Sequence, residues 1–221
     1  MPYCGAMTNW DDTYRDAPVW VKEPAGPLVA EVETFADAQL AAAGDGARPV
    51  ALDIGAGEGR NARYLAERGY RVIAVEQSSV AIERGKQAAA GQAWGEQITW
   101  IASRVENYAP PRRVELIALS YLQLPSEDLG AILQRAMGWL APGGRLVLIG
   151  HDISNLAGGV GGPKNPDVLH RLEELLPYVA EGTIVRAEVI ERYESESAAG
   201  DADGEQAALD TVLHVIRPDQ P

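Results

Sequence analysis

Val50-Ala51-Leu52-Asp53-Ile54-Gly55-Ala56-Gly57-Glu58-Gly59-Arg60-Asn61 is the stretch from which the fold of this 221-residue chain can be read. A short apolar run ends in an acidic residue, three glycines follow at alternate positions, and a helical pattern begins. A brief apolar run bounded by glycine reads as a buried strand. Gly55 and Gly57 let the backbone pass close to a ligand with no Cβ in the way. Gly59 allows the next helix to pack tightly on the strand.

Working outward, the same alternation recurs. Arg60 to Arg68 reads as a helix closed by Gly69, and Arg71 to Val75 as a second strand. A helix over Ser79 to Ala90 follows, then apolar strands at Ile98 to Ala102 and Val114 to Leu119. A helix from Asp128 to Leu140, the turn Ala141-Pro142-Gly143-Gly144 and a strand from Arg145 to Ile149 complete the pattern. Strands alternating with helices specify a Rossmann-like, doubly wound α/β sheet, and continuously apolar strands fit burial on both faces. After Gly150 the pattern changes. Leu156 to Pro166 is a Gly/Pro-rich loop and Asp167 to Val179 reads as one helix. Two alternating segments, Thr183 to Ser195 and Ala207 to Ile216, flank an acidic Gly/Ala stretch from Ser197 to Glu205. The sheet is therefore expected to be mostly parallel, ending in a C-terminal antiparallel hairpin strand. Upstream, Leu28, Val29, Val32, Phe35, Ala36 and Leu40 recur at helical spacing, which makes residues 1–46 an N-terminal helical cap on a single domain spanning 1–221.

The glycine turn also carries a charge argument. Dinucleotide enzymes cradle pyrophosphate on G-x-G-x-x-G at a helix N-terminus. Here the glycines alternate, and both Asp53 and Glu58 would oppose an anion. A ligand with an ammonium and a sulfonium would meet no such opposition, which favours S-adenosylmethionine over NAD. Glu76 ends the second strand, where a carboxylate can accept from ribose hydroxyls.

These residues resemble the class I S-adenosylmethionine-dependent methyltransferases from Val50 through Asp152. Asp53-Ile54-Gly55-Ala56-Gly57-Glu58-Gly59 looks like their first motif and Ala74-Val75-Glu76-Gln77-Ser78 like their second. Glu115-Leu116-Ile117-Ala118-Leu119 resembles the fourth-strand motif, and Leu140-Ala141-Pro142-Gly143-Gly144-Arg145-Leu146 the turn before strand five. The Trp10-Asp11-x-x-Tyr14 opening and the Arg60-Asn61 pair are similar to small bacterial enzymes of the tellurite-resistance and thiopurine type. The resemblance implies that Asp53 orients the methionyl ammonium, with Gly55, Gly57 and Ser120 along the methionyl part. Glu76 would hold the ribose hydroxyls, and Gln77 and Ser78 would border the adenine. Arg60, Asn61, Arg104 and Val105 complete the expected cofactor shell. Ser103-Arg104-Val105 stands where the family often has an acid for the adenine amine, so Arg104 would stack on adenine or a backbone carbonyl would accept instead.

Methyl transfer is an in-line displacement for which a protein mainly positions and desolvates the nucleophile, with a general base for a hydroxyl. In an open α/β sheet reacting groups gather at the carboxyl ends of strands. That rule selects Tyr121 and Gln123 after strand four, and His151 and Asp152 after strand five. His151 is the candidate base, because His titrates near neutrality, although a structural histidine at a strand end fits as well. The candidate catalytic set is His151, Asp152 and Tyr121. His170 is expected to face solvent, and His214 carries no site. Asn155 to Pro166 reads as a lid. Trp10, Tyr14 and Trp20 fit either a cover over the cofactor or packing anchors.

The bulk numbers narrow the partners. A formal charge of −13 disfavours nucleic acid and an acidic membrane surface, which leaves a small-molecule substrate. The single cysteine, Cys4, suits a reducing cytoplasm, and the N-terminus has no apolar signal core. No metal site is expected. Methyl transfer to a hydroxyl, thiol or amine of a small molecule is the reading these features favour, in a monomer or a homodimer. A nicotinamide-dependent oxidoreductase and a non-catalytic S-adenosylmethionine-binding module are the alternatives.

Overall fold

A computed structural model describes residues 9–16, 22–44, 46–193 and 207–219. Seven strands form one sheet in the order β3-β2-β1-β4-β5-β7-β6. They are β1 (Val50–Ile54), β2 (Arg71–Glu76), β3 (Ile98–Ala102), β4 (Val114–Ser120), β5 (Leu140–His151), β6 (Thr183–Arg192) and β7 (Ala208–Ile216). The first five pair in parallel, and β7 runs antiparallel between β5 and β6. The helices are α1 (Trp10–Asp16), α2 (Gly26–Glu33), α3 (Ala36–Ala42), α4 (Arg60–Arg68), α5 (Ser79–Ala89), α6 (Ser126–Trp139), α7 (Asn155–Gly158) and α8 (Leu172–Leu175).

All five residues of β1 are buried, because alternate side chains feed opposite cores. On one face Leu52, Ile54, Ile117, Leu119, Leu146 and Leu148 meet Leu129, Ile132, Leu133 and Ala136 of α6. On the other, Ala51, Leu116, Ala118, Val147 and Ile149 meet Leu28 and Val32 of α2 and Ala62, Leu65 and Ala66 of α4. Small residues on this second face let α4 lie close to the sheet. The bends match the glycines: Gly69 caps α4 with φ 115°, where L side chains are disfavoured.

A buried polar cluster ties the N-terminal cap to the last strands. His214 Nδ1 lies 2.9 Å from Glu31 Oε2, and its Nε2 lies 3.0 Å from Arg145 Nη1. Arg186 pairs with the other Glu31 oxygen. The arrangement suits a neutral His214 that donates from Nδ1 and accepts at Nε2. Burial lowers its pKa, opposed by Glu31.

Three expectations need correction. Asp167 to Val179 is not one helix. It is a 3-10 turn at Pro166–Val168, an extended stretch, α8, and another 3-10 turn at Leu176–Val179. Pro177 has no N–H for a continuing helix, and the His170 N–H is taken by the His151 carbonyl at 2.8 Å. That bond pulls His170 inward, so it is buried rather than facing solvent. Burial lowers its pKa to about 4, and it remains neutral. Finally, Ala141 to Gly144 lies within β5: the Gly143 N–H bonds the Arg217 carbonyl at 2.9 Å, and the register against β4 shifts between Val114 and Leu116. Trp20, Cys4 and Ser197 to Glu205 lie outside the described residues.

Among the described residues no helix is long and apolar enough to cross a membrane. None of their His, Cys, Asp or Glu side chains cluster so as to hold a metal ion.

Candidate active site

A cavity of about 630 Å³ opens at the carboxyl ends of β1, β2 and β4. Its floor is the glycine turn. Gly55, Gly57 and Gly59 all have positive φ, at 71°, 57° and 88°. The turn is also crowded: a Cβ on Gly55 would stand 2.9 Å from Leu122 Cδ1, and one on Gly59 would stand 2.2 Å from the Trp100 ring. Glycine is thus required twice over, for conformation and for space.

Asp53 lies under this floor, 1% exposed. Its Oδ2 is buried with no hydrogen-bond partner. Desolvation raises its pKa to about 7, opposed by Arg60 and by a hydrogen bond from the Ala62 N–H. Arg60, the first residue of α4, is on the cavity wall. Among the described residues its guanidinium makes no hydrogen bond and no ion pair. It lies over the Tyr121 ring, 5.6 Å from the centroid. Desolvation lowers its pKa, opposed by Tyr121 and Asp53. A carboxylate oxygen without a hydrogen-bond partner beneath the floor and a guanidinium on the cavity wall thus stand at the glycine turn without bonding each other. Ser120, opposite the turn on β4, adds a buried hydroxyl with no partner. Such a donor set fits a zwitterion that has both an ammonium and a carboxylate.

Glu76 marks the other end. Its oxygens accept from the Gly57 N–H at 3.1 Å and the Ser78 N–H at 2.8 Å. Desolvation raises its pKa, and those N–H groups counter the shift. Each carboxylate oxygen still has a lone pair for a hydroxyl. Gln77 follows on the cavity wall. Ser78 caps α5, accepting from the Ala81 N–H at 3.2 Å and donating to Asp11 at 2.7 Å. That bond fastens α1 over the cavity, which Trp10 and Tyr14 line. Asn61, also on the wall, accepts from the Ala25 N–H at 2.9 Å and so fixes the start of α2.

Beyond β4 stands Tyr121, with φ 56°, the one non-glycine residue in the left-handed region among those described. A residue held there costs of order 1–3 kcal/mol and marks a site that the surroundings enforce. Its hydroxyl donates to Asp210 Oδ2 at 2.7 Å. Arg192 Nε donates to the same oxygen at 2.6 Å. Arg192 also lies 5.7 Å from the Tyr121 ring centroid. The His151 ring lies 5.0 Å from that of Tyr121, and its Nδ1 is 3.0 Å from Asp210 Oδ1. The last contact is close but off the line of an N–H bond, and neither atom has another partner.

Of the residues singled out from sequence, Gly55, Gly57, Arg60, Asn61, Glu76, Gln77, Ser120 and Tyr121 converge on the cavity, with Asp53 beneath. Five expectations differ. His151 is not on the cavity wall; it stands behind Tyr121, and a Cβ on Gly162 would come within 2.7 Å of its ring. Asp152 points the opposite way, as strand neighbours do, and is consumed by Ser154 and Thr211. Arg104 is turned to Glu106 at 2.9 Å, and Val105 is part of the apolar core, so neither lines the cavity. The loop after β5 closes on β7 and not over the cavity: Asn155 accepts from the Leu209 N–H at 2.8 Å and donates to the Gly161 carbonyl at 3.1 Å.

Three residues that sequence reasoning passed over matter here. Trp100 packs its ring against Gly59 and reaches the wall. Asp210 and Arg192 arrive from strands distant in sequence, and no local motif signals them.

Comparison with known proteins finds relatives of this fold. Residues 51–144 match the family model described as "Methyltransferase domain". The chain is 33% identical over 107 residues to the tRNA 5-carboxymethoxyuridine methyltransferase of Escherichia coli (strain K12), a stretch covering 48% of this chain and 41% of that protein. The chain therefore matches less than half the length of that curated relative. Among solved structures, magnesium protoporphyrin IX methyltransferase from Synechocystis PCC 6803, with bound SAM, superposes with TM-score 0.58 at 18% identity, covering 94% of this chain and 89% of that one. TehB from Haemophilus influenzae superposes with TM-score 0.62 at 14% identity, covering 89% of this chain and 63% of that one. At these identities the likeness is one of fold.

Proposed function

We propose that the chain is a class I S-adenosylmethionine-dependent methyltransferase, a reading supported by its match to a methyltransferase domain over residues 51–144, and that it transfers a methyl group to a nucleophile of a small molecule. The observation that carries the reading is the unbonded pair Asp53 and Arg60 at the glycine turn. The methionyl end of S-adenosylmethionine is a zwitterion: Asp53 and the Ser120 hydroxyl take the ammonium side, and Arg60 takes the carboxylate. Gly55 and Gly57 let that end lie against the backbone. Glu76 accepts from the ribose hydroxyls and Gln77 borders the adenine. Bound S-adenosylmethionine supplies an activated methyl group on a cationic sulfur.

The chain's own part is then to hold the acceptor and exclude water. Tyr121 is the wall against which the acceptor rests. Its hydroxyl is committed to Asp210, and burial with that carboxylate pushes the phenol's pKa well up, so it does not act as a base. His151 supports Tyr121 from behind. Trp10 and Tyr14 of α1 close the opposite side. The charge of −13 and a cavity of about 630 Å³ support a small acceptor over nucleic acid.

Equilibrium titration of S-adenosylmethionine against NAD tests the cofactor. Binding of the first alone is expected; NAD binding without it would overturn the reading. Incubation with isotopically labelled donor and either a metabolite extract or bulk tRNA tests the acceptor. A methyl-labelled metabolite is expected, and label confined to tRNA would overturn the small-molecule reading.

A further inference from the structure

We infer that Asp210 is a positioning residue that sets the acceptor wall and its support: it locks Tyr121 in place and fixes His151, behind it, as the tautomer protonated at Nδ1. Asp210 is completely buried on β7. Three groups from three strand ends converge on it. Tyr121 follows β4, His151 ends β5 and Arg192 ends β6. The Tyr121 hydroxyl and Arg192 Nε both occupy Oδ2. Oδ1 is left to His151 Nδ1 at 3.0 Å.

The chemistry of the carboxylate gives the assignment its direction. An ionised Asp only accepts, so each group facing it must donate. Against the desolvation that would raise it, the close His151 ring and the hydrogen bonds from Arg192 and Tyr121 hold the Asp210 pKa below its usual range. Arg192 already balances its charge at 2.6 Å. His151 can therefore meet Oδ1 as a neutral ring with its proton on Nδ1, and a small ring rotation aligns the bond. The partner of one ring nitrogen decides which nitrogen carries the proton. This anchor acts with the Tyr121 N–H bond to the Ile149 carbonyl at 2.7 Å to hold the left-handed backbone at Tyr121 and the tilted packing of its ring on His151. The inference rests on the methyl-transfer reading only for the purpose of the wall.

Asp210→Asn provides a directional test. Tyr121 and Arg192 both donate, so they hold the amide oxygen in place of Oδ2. The amide NH₂ must then face His151 Nδ1, which can only accept from it. The ring is driven to the Nε2–H tautomer. Long-range ¹H–¹⁵N correlation on histidine-labelled protein, which has three histidines, reads this directly. Wild type is expected to show His151 as Nδ1–H, and Asp210→Asn as Nε2–H. The Kd for S-adenosylhomocysteine should stay within about threefold, since Asp210 touches no part of the glycine turn. Tyr121→Phe should leave the tautomer unchanged. A wild-type His151 protonated on Nε2, or one unmoved in Asp210→Asn, would overturn the inference. The wild-type measurement alone decides it if the variant does not fold. Failure of the wild type to bind S-adenosylhomocysteine would instead count against the proposed function, whatever the tautomer.

Discussion

Asp53 makes a quantitative demand on the ligand-free protein. Its pKa is raised from 3.8 to about 7 by burial with one oxygen unpartnered. Each pKa unit is worth about 1.4 kcal/mol, so the ionised side chain costs the ligand-free fold at most about 4 kcal/mol. The sign follows from proton counts. Below about pH 4 the folded and unfolded chains both hold the proton, and the cost is absent. Between about pH 4 and 7 the unfolded chain has released it and the folded chain has not, so stability falls as pH rises. Above about pH 7 both are ionised and the loss is constant. Asp53→Asn keeps an acceptor for the Ala62 N–H and removes the charge. At pH 8 the ligand-free variant should melt above wild type, by roughly 10 °C if the full cost is recovered. At pH 4 the two should converge. The same variant should bind S-adenosylmethionine at least about tenfold more weakly, having lost the partner of the ammonium. Melting by circular dichroism across this range, paired with calorimetric titration, measures both. A melting difference independent of pH, or a variant less stable at pH 8, would refute the reasoning.

Other expectations follow from single contacts. Gly59→Ala puts a Cβ 2.2 Å from the Trp100 ring at φ 88°; a loss of about 2–4 kcal/mol in urea denaturation is expected, and Trp100→Ala should relieve the steric part. Glu31→Gln removes the charge that Arg186 and His214 share, and should cost about 3 kcal/mol by the same measurement. Asp11→Ala frees Ser78 and unfastens α1 from the start of α5. Stability should fall by only about 1 kcal/mol, while dissociation of S-adenosylhomocysteine in stopped-flow quickens several-fold. An unchanged off-rate would show that α1 does not cover the bound cofactor.

The fold was legible because periodicity and glycine punctuation are local. β1, α4 and β3 have the bounds that their sequences imply, since apolar runs and a capping glycine are read within a dozen residues. The helix expected over 167–179 was not, because a backbone bond from His151, remote in sequence, competes for His170. The glycine-turn side of the cavity was legible for the same local reason: Asp53, Gly55, Gly57 and Arg60 fall within eight residues around one turn. The acceptor half was only partly so. Position at a strand end selected Tyr121 and His151 separately, and the structure brings their rings within 5.0 Å. Position gave no sign that Tyr121 would stand between His151 and the cavity, and none of Asp210, which register across β5 and β7 brings opposite His151.

The molecule contains its own control for reading a buried charge as a site. Glu31 and His214 are as buried as Asp53, but every polar atom there has a partner: Glu31 meets Arg186 and His214, and His214 meets Arg145. A satisfied cluster of that kind joins elements and asks for nothing further. Around the glycine turn the opposite holds. Asp53 Oδ2 and Ser120 Oγ are orphaned, and Arg60 is desolvated with no carboxylate to meet it. Each of these is a cost that folding alone does not recover. All three lie within reach of one cavity, and two of them carry opposite charge. A ligand of matching charge recovers that cost on binding, and an apolar or singly charged one does not. Unsatisfied burial therefore supports the proposed placement of the cofactor's amino-acid end on grounds independent of the glycine motif.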